Sequence, residues 1–186
     1  SWLQDESRFE KELSNVYKIW LEYLNPYWSE NPWSRALEGK KVLVVHPFVD
    51  SIQKQYKKRA FLHKHPQTLP DFDLKTIKAV QGIGGVCNEG FKDWFDAFEY
   101  MKAEINKSNY DICILGCGAY GFPLAAHVKR MGKKAIHMGG ATQMLFGIKG
   151  KRWEDEYGEF MNEHWIRPSK EETPINAMKI ENGCYW

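Results

Sequence analysis

The chain has 186 residues, 43% of them apolar and 15% aromatic. These values suit one globular domain of ordinary size and exclude a disordered or fibrous chain. A formal charge of +2 is too balanced to argue for nucleic acid as a partner. No run approaches the roughly 18 apolar residues of a membrane span, and no basic-then-apolar stretch marks a signal peptide.

Phe9, Leu13, Val16, Tyr17, Trp20, Leu21 and Leu24 recur at helical spacing and predict a helix over 6–24. Asn25-Pro26 ends it, because the residue before proline is pushed out of the helical region. Residues 25–40 read as a Pro- and Trp-rich connection with a short helix near 34–37, so 1–40 form an N-terminal helical segment. The run Lys41-Val42-Leu43-Val44-Val45-His46 predicts a strand buried on both faces. A turn over 47–50 leads to a helix over 51–62, with Asp50 or Ser51 as cap. A weaker strand follows at 76–80, then a glycine-rich loop over 82–90. Residues 91–105 predict an amphipathic helix whose Phe91, Trp94, Phe95, Phe98, Met101 and Ile105 face the core.

A third strand falls at 112–115, a helix at 122–131, a fourth strand at 134–137 and a polar helix at 154–164. From Arg167 the tail is proline- and charge-rich without a clear period. Strands alternating with helices predict an α/β, Rossmann-like domain over 41–166, a mostly parallel sheet with helices on both faces, and a tail over 167–186. Ligands of such sheets bind beyond the carboxyl ends of the strands. His46-Pro47, Gln81-Gly82, the turn at 116–121 and the stretch 137–140 stand there.

The stretch DICILGCGAYGFP, from Asp111 to Pro123, is an apolar strand running into G-x-G-x-x-G. Gly116, Gly118, Ala119, Tyr120 and Gly121 make a turn whose backbone can approach a phosphate, with Pro123 suited to the first turn of the next helix. The dinucleotide version of this motif wants an acid at the end of the next strand, where Ile136-His137-Met138 stands instead. It also usually follows the first strand of a sheet. An NAD(P)-dependent oxidoreductase is therefore the weaker alternative.

Gly139 and Gly140 follow the fourth strand and can form an anion nest, with Thr142 and Gln143 as side-chain donors. Lys149, Lys151 and Arg152 can clamp a diphosphate, Arg152 bidentately. His46, at the first strand's mouth, is a candidate base or nucleotide contact. Asp71-Phe72-Asp73 has the D-x-D form of a divalent-metal site. The four cysteines, Cys87, Cys113, Cys117 and Cys184, show no C-x-x-C spacing and read as reduced thiols of a cytoplasmic protein.

The segment DICILGCGAYGFPLAAHVKRMGKKAIHMGG resembles the C-terminal half of the GT-D-type glycosyltransferase domain, and KVLVVHPFVDSIQKQY resembles a strand of that family and the loop after it. This distant resemblance covers about 40–140. The motifs GCGAYG, GGATQMLFGIKGKRW, NEHWIRP and ENGCYW are more closely similar, over about 40–186, to a bacterial and viral set of proteins, uncharacterised or assigned to polysaccharide biosynthesis. The resemblance implies sugar transfer from a nucleotide sugar, commonly a UDP-sugar, to a glycan acceptor, with Mn or Mg. Under it His46 or His137 is the general base or orienter of the acceptor hydroxyl. The chain departs from the family in two places. No D-x-E metal segment is present, and His137 stands where the family has Asp. The start at Ser1 leads to the expectation of an upstream portion carrying that segment. A non-catalytic glycan-binding or assembly module is the other alternative.

Overall fold

The computed structural model describes residues 14–82 and 90–186. Four strands, β1 (Lys41–His46), β2 (Asp73–Lys78), β3 (Ile112–Leu115) and β4 (Lys134–His137), form one parallel sheet in the order β2-β1-β3-β4. In register, Val44 lies between Thr76 and Ile114, and Ile114 faces Ile136 on its other side. The chain leaves β1 toward one edge for β2, then returns past β1 to build β3 and β4. The order therefore reverses between β1 and β3, and parallel strands diverge into a crevice at such a switch point.

Among the described residues five α-helices cover the sheet: α1 (Val49–Tyr56), α2 (Trp94–Lys107), α3 (Gly121–Arg130), α4 (Ala141–Leu145) and α5 (Lys151–Tyr157). Side chains alternate across a strand, so β1 feeds two cores. Val42 and Val44 pack with Ile52, Leu62, Phe146 and Trp165 on one face. Leu43 and Val45 pack with Met101, Ile105, Leu124 and Val128 on the other. Each fully buried side chain of this size contributes about 1.5–3 kcal/mol from its removal from water. This explains the unbroken apolar run of β1: neither face meets solvent. The Rossmann-like α/β expectation holds.

Several boundaries differ from expectation. Residues 14–20 make a turn and irregular chain, and Leu21–Leu24 is a 3-10 turn, so the described part of the expected 6–24 helix is not α-helical. Tyr17, Ile19 and Trp20 are exposed there, so the helical spacing has no core to face. Residues 1–13 lie outside the described residues, as do 83–89 of the glycine-rich loop. α1 starts at Val49, and neither Asp50 nor Ser51 caps it. The carboxylate of Glu172 does, accepting from the Asp50 and Ser51 N–H groups at 2.9 and 3.1 Å and from the Ser51 hydroxyl. Phe95 is exposed in the first turn of α2, whose buried face is Ala97, Met101 and Ile105.

The acids of the D-x-D motif belong to the opposite end of the sheet from the crevice. Asp73 opens β2 across from Lys41, and Asp71 pairs with Arg59 at 2.8 Å. Among the described residues no helix is long and apolar enough to cross a membrane.

Candidate functional site

A cavity of about 550 Å³ occupies the switch point. Its floor comes from the two strands that part there: His46, Pro47 and Phe48 after β1, and Gly116 to Tyr120 after β3. Lys92, Asp93 and Trp94 at the start of α2 form one wall. Gly140 and Gln143 form another, and Ile180, Tyr185 and Trp186 of the tail close it.

His46 is 2% exposed. Its Nδ1 accepts the Phe48 N–H at 3.0 Å, so the proton of the neutral ring sits on Nε2. Burial pushes its pKa down to about 3, so the ring is neutral at ordinary pH. Nε2 has no hydrogen-bond partner among the described residues. Gly116 is what lets the ring reach the floor. A Cβ there would stand 2.5 Å from His46 Cδ2 and 2.5 Å from Thr142 Oγ1.

Gly118 has φ +55, a left-handed conformation that a side chain rarely adopts, and it bends the chain from β3 into the next turn. The first bond of that turn runs from Tyr120 N–H to Cys117 O at 3.2 Å. The N–H groups of Gly118 and Ala119 precede it, as the open donors of a helix start do. α3 follows directly, with the positive end of its dipole here.

Trp94 stacks on Tyr120 with centroids 4.9 Å apart and on Phe98 at 5.0 Å, giving an aromatic wall. Asp93 caps α2 by accepting the Asp96 N–H at 2.9 Å, which fixes where Trp94 begins the helix. Gln143 is 1% exposed. Its amide nitrogen donates to Lys149 O and Tyr185 O, each at 3.1 Å. Carbonyls gathered at that end settle the amide orientation, so Oε1 is the other atom, and it has no partner among the described residues.

The expected site residues divide into two groups. His46, Gly116, Gly118, Ala119, Tyr120, Gly140 and Gln143 line the cavity. Gly121, His137, Gly139, Thr142, Lys149, Lys151 and Arg152 do not. The His137 ring packs under Gly121, where a Cβ would meet Nδ1 at 2.4 Å, and its Nδ1 lies 3.3 Å from Leu115 O. Thr142 is wholly buried below Gly116, its hydroxyl without a partner among the described residues. Lys149 N–H bonds Ile166 O, and Lys151 is exposed on α5. Arg152 grips the tail from outside: it bonds the Tyr185 hydroxyl at 3.2 Å, pairs with Glu181 and lies over the Tyr185 ring.

Trp94, Asp93 and the tail's Tyr185 and Trp186 were not expected in the site. Trp94 carried a readable signal, as the first residue after an Asp cap at the carboxyl edge of a sheet. The tail carried none, because it has no period. Cys117 also lines the cavity, but burial pushes its thiol up to about 12, so it is no thiolate nucleophile. Cys113, Cys117 and Cys184 are free, and Cys87 lies outside the described residues.

The described residues do not fit a divalent metal. No group of three or more His, Cys, Asp or Glu among them is placed to hold an ion, and Asp93 is the one acidic side chain of the described residues that lines the cavity. Comparison with protein families, curated proteins and solved structures finds no match to this chain.

Proposed function

We propose that the chain binds a nucleotide sugar in this cavity and serves sugar transfer to a glycan acceptor. The observation that carries the reading is position. The cavity opens where the strand order reverses, beyond the carboxyl ends of β1 and β3, which is where open α/β sheets take nucleotides. Its volume falls within the roughly 300–1,000 Å³ range of small-molecule sites.

The lining supports the same reading. A nucleotide sugar needs a surface for a planar base, donors for its phosphates and paired polar groups for its hydroxyls. Trp94 and Tyr120 offer the first. Gly118 and Ala119 N–H offer the second, with Lys92 at the rim adding positive charge. His46 and Gln143 offer the third. Backbone donors at the diphosphate would stabilise the negative charge that grows as the sugar–phosphate bond breaks. The resemblance of 40–140 to GT-D-type domains points the same way. Lys149, Lys151 and Arg152 have no part in this version of the site.

One observation favours a second reading, a binding module without catalysis. His46 has its Nδ1 engaged by Phe48, and Asp93 is engaged in capping α2, so neither ring nor carboxylate stands ready as a base.

Thermal unfolding with UDP, GDP, CDP, their sugars, NAD and NADP, each with and without manganese, tests the reading. A ligand at about 100 times its Kd adds roughly 2.7 kcal/mol of stability. A nucleoside diphosphate or its sugar should raise Tm. A rise with NAD or NADP alone would replace the reading with a dinucleotide site. Release of the nucleotide from the stabilising sugar donor would then separate the transferase from the binding module.

A further inference from the structure

We propose that His46 is a fixed, neutral hydrogen-bond donor that holds an acceptor oxygen of the bound ligand. A histidine at a strand mouth invites the role of base, and the geometry points elsewhere. The proposal takes from the preceding reading only that this cavity is the ligand site.

Three observations converge. The Phe48 N–H, 3.0 Å from Nδ1, occupies the ring's lone pair and leaves the proton on Nε2. The ring is 2% exposed yet lines the cavity, and Nε2 has no partner among the described residues. A donor that opens on a cavity with no protein group to meet it is free for an acceptor from outside the chain. Gly116, which has no side chain, gives the ring its place in the floor.

Gln143 adds the complement. Its amide nitrogen is held by carbonyls, which leaves Oε1 as the acceptor of a side chain that lines the cavity. The cavity lining thus presents one neutral donor and one neutral acceptor. That suits a sugar or ribose hydroxyl, or a phosphoryl oxygen at His46. The titratable groups lining the cavity around the ring are Lys92 and Asp93 from the start of α2, Cys117 and Tyr120 from the turn after β3, and Tyr185 from the tail. Burial, which lowers the ring's proton affinity, keeps it in the same form across the physiological range.

The test uses the full chain with 15N-labelled histidine, and His46→Gln assigns the signal. Long-range 1H–15N spectra are recorded from pH 5 to 8, alone and with UDP, UDP-glucose, NAD or inorganic phosphate. The expected ring keeps its proton on Nε2 at every pH, and at least one probe moves that resonance. For that probe His46→Phe should weaken binding about tenfold, the scale of one hydrogen bond. His46→Gln places an amide N–H near Nε2 and should stay within about threefold. The wild-type spectra carry the test even where His46→Phe fails to fold.

A ring that titrates between pH 5 and 7, carries its proton on Nδ1, or ignores every probe overturns the proposal. If UDP binds and shifts other signals but leaves Nε2 unmoved, the His46 role fails and the nucleotide reading survives. If phosphate or NAD moves Nε2 and neither UDP nor UDP-glucose binds, the nucleotide-sugar reading fails and the His46 role stands.

Discussion

Glu172 accepts the Ser51 N–H at 3.1 Å, so the tail caps a helix 121 residues earlier in the chain. α1 has no cap from its own Phe48, and Glu172 is 4% exposed. Its carboxylate meets the free N–H groups and the positive end of the α1 dipole. The same residue's carbonyl accepts the Trp186 indole N–H at 3.2 Å, which holds that ring over the cavity. Glu172→Ala should therefore cost about 2 kcal/mol, from a lost cap and from buried donors left open. Ser51→Ala, which spares the backbone bonds, should cost about half of that. Urea denaturation measures both. An unchanged midpoint in Glu172→Ala would show that the cap contributes nothing.

Gly116 and Gly118 are both glycines of the turn after β3, and they are glycines for different reasons. Gly116 has no room: its missing Cβ would stand 2.5 Å from His46 and Thr142 atoms. Gly118 has room but a φ of +55. Gly116→Ala should destabilise by about 1–3 kcal/mol, the cost of overpacking a core, and should displace the His46 ring. Gly118→Ala should cost roughly 1 kcal/mol from backbone strain and leave that ring in place. The His46 NMR signal separates the two. Equal shifts in both variants would contradict the packing described.

Trp94 stacks between α2 and the turn, nearly parallel to Tyr120 at 5°. Trp94→Ala should weaken binding of the stabilising nucleotide by roughly 1–3 kcal/mol, the scale of one base on an aromatic side chain. Trp94→Phe should recover most of the loss. Calorimetric titration reads both. Equal affinity in Trp94→Ala and the parent chain would move the base away from this wall.

The sheet was legible because its signal is local. A β1 strand buried on both faces must be an unbroken apolar run, and Val42 to Val45 is one. The sheet's carboxyl edge followed from strand order, and seven of the expected site residues do line the cavity there. The rest was set by contacts distant in sequence. Lys149, Lys151 and Arg152 read as a phosphate clamp because three cations lie near two glycines. In the fold Arg152 meets Glu181 and Tyr185, so its charge serves the tail. Nothing local in the tail announces that Tyr185 and Trp186 wall a cavity. Gly140 is a glycine because a Cβ there would stand 2.6 Å from the Tyr185 ring, a reason invisible without the fold.

Acid should destabilise the protein through two histidines. Burial lowers the pKa of His46 to about 3 and of His63, packed against Tyr27 and Trp165, to about 4. Both folded values lie below the unfolded value near 6.5, so the unfolded chain takes up the protons first. The stability these neutral rings allow is whole above pH 6.5 and is lost as pH falls toward their folded values. Between pH 7 and pH 5 each ring should remove roughly 2 kcal/mol of unfolding free energy. His46→Gln and His63→Gln cannot titrate, so each should flatten about half of the slope, and the double variant nearly all of it. Urea denaturation at half-unit steps of pH reads the slope directly. A parent chain whose stability stays level from pH 7 to 5 would mean that both rings reach solvent or a carboxylate when protonated, against the enclosed positions described for them.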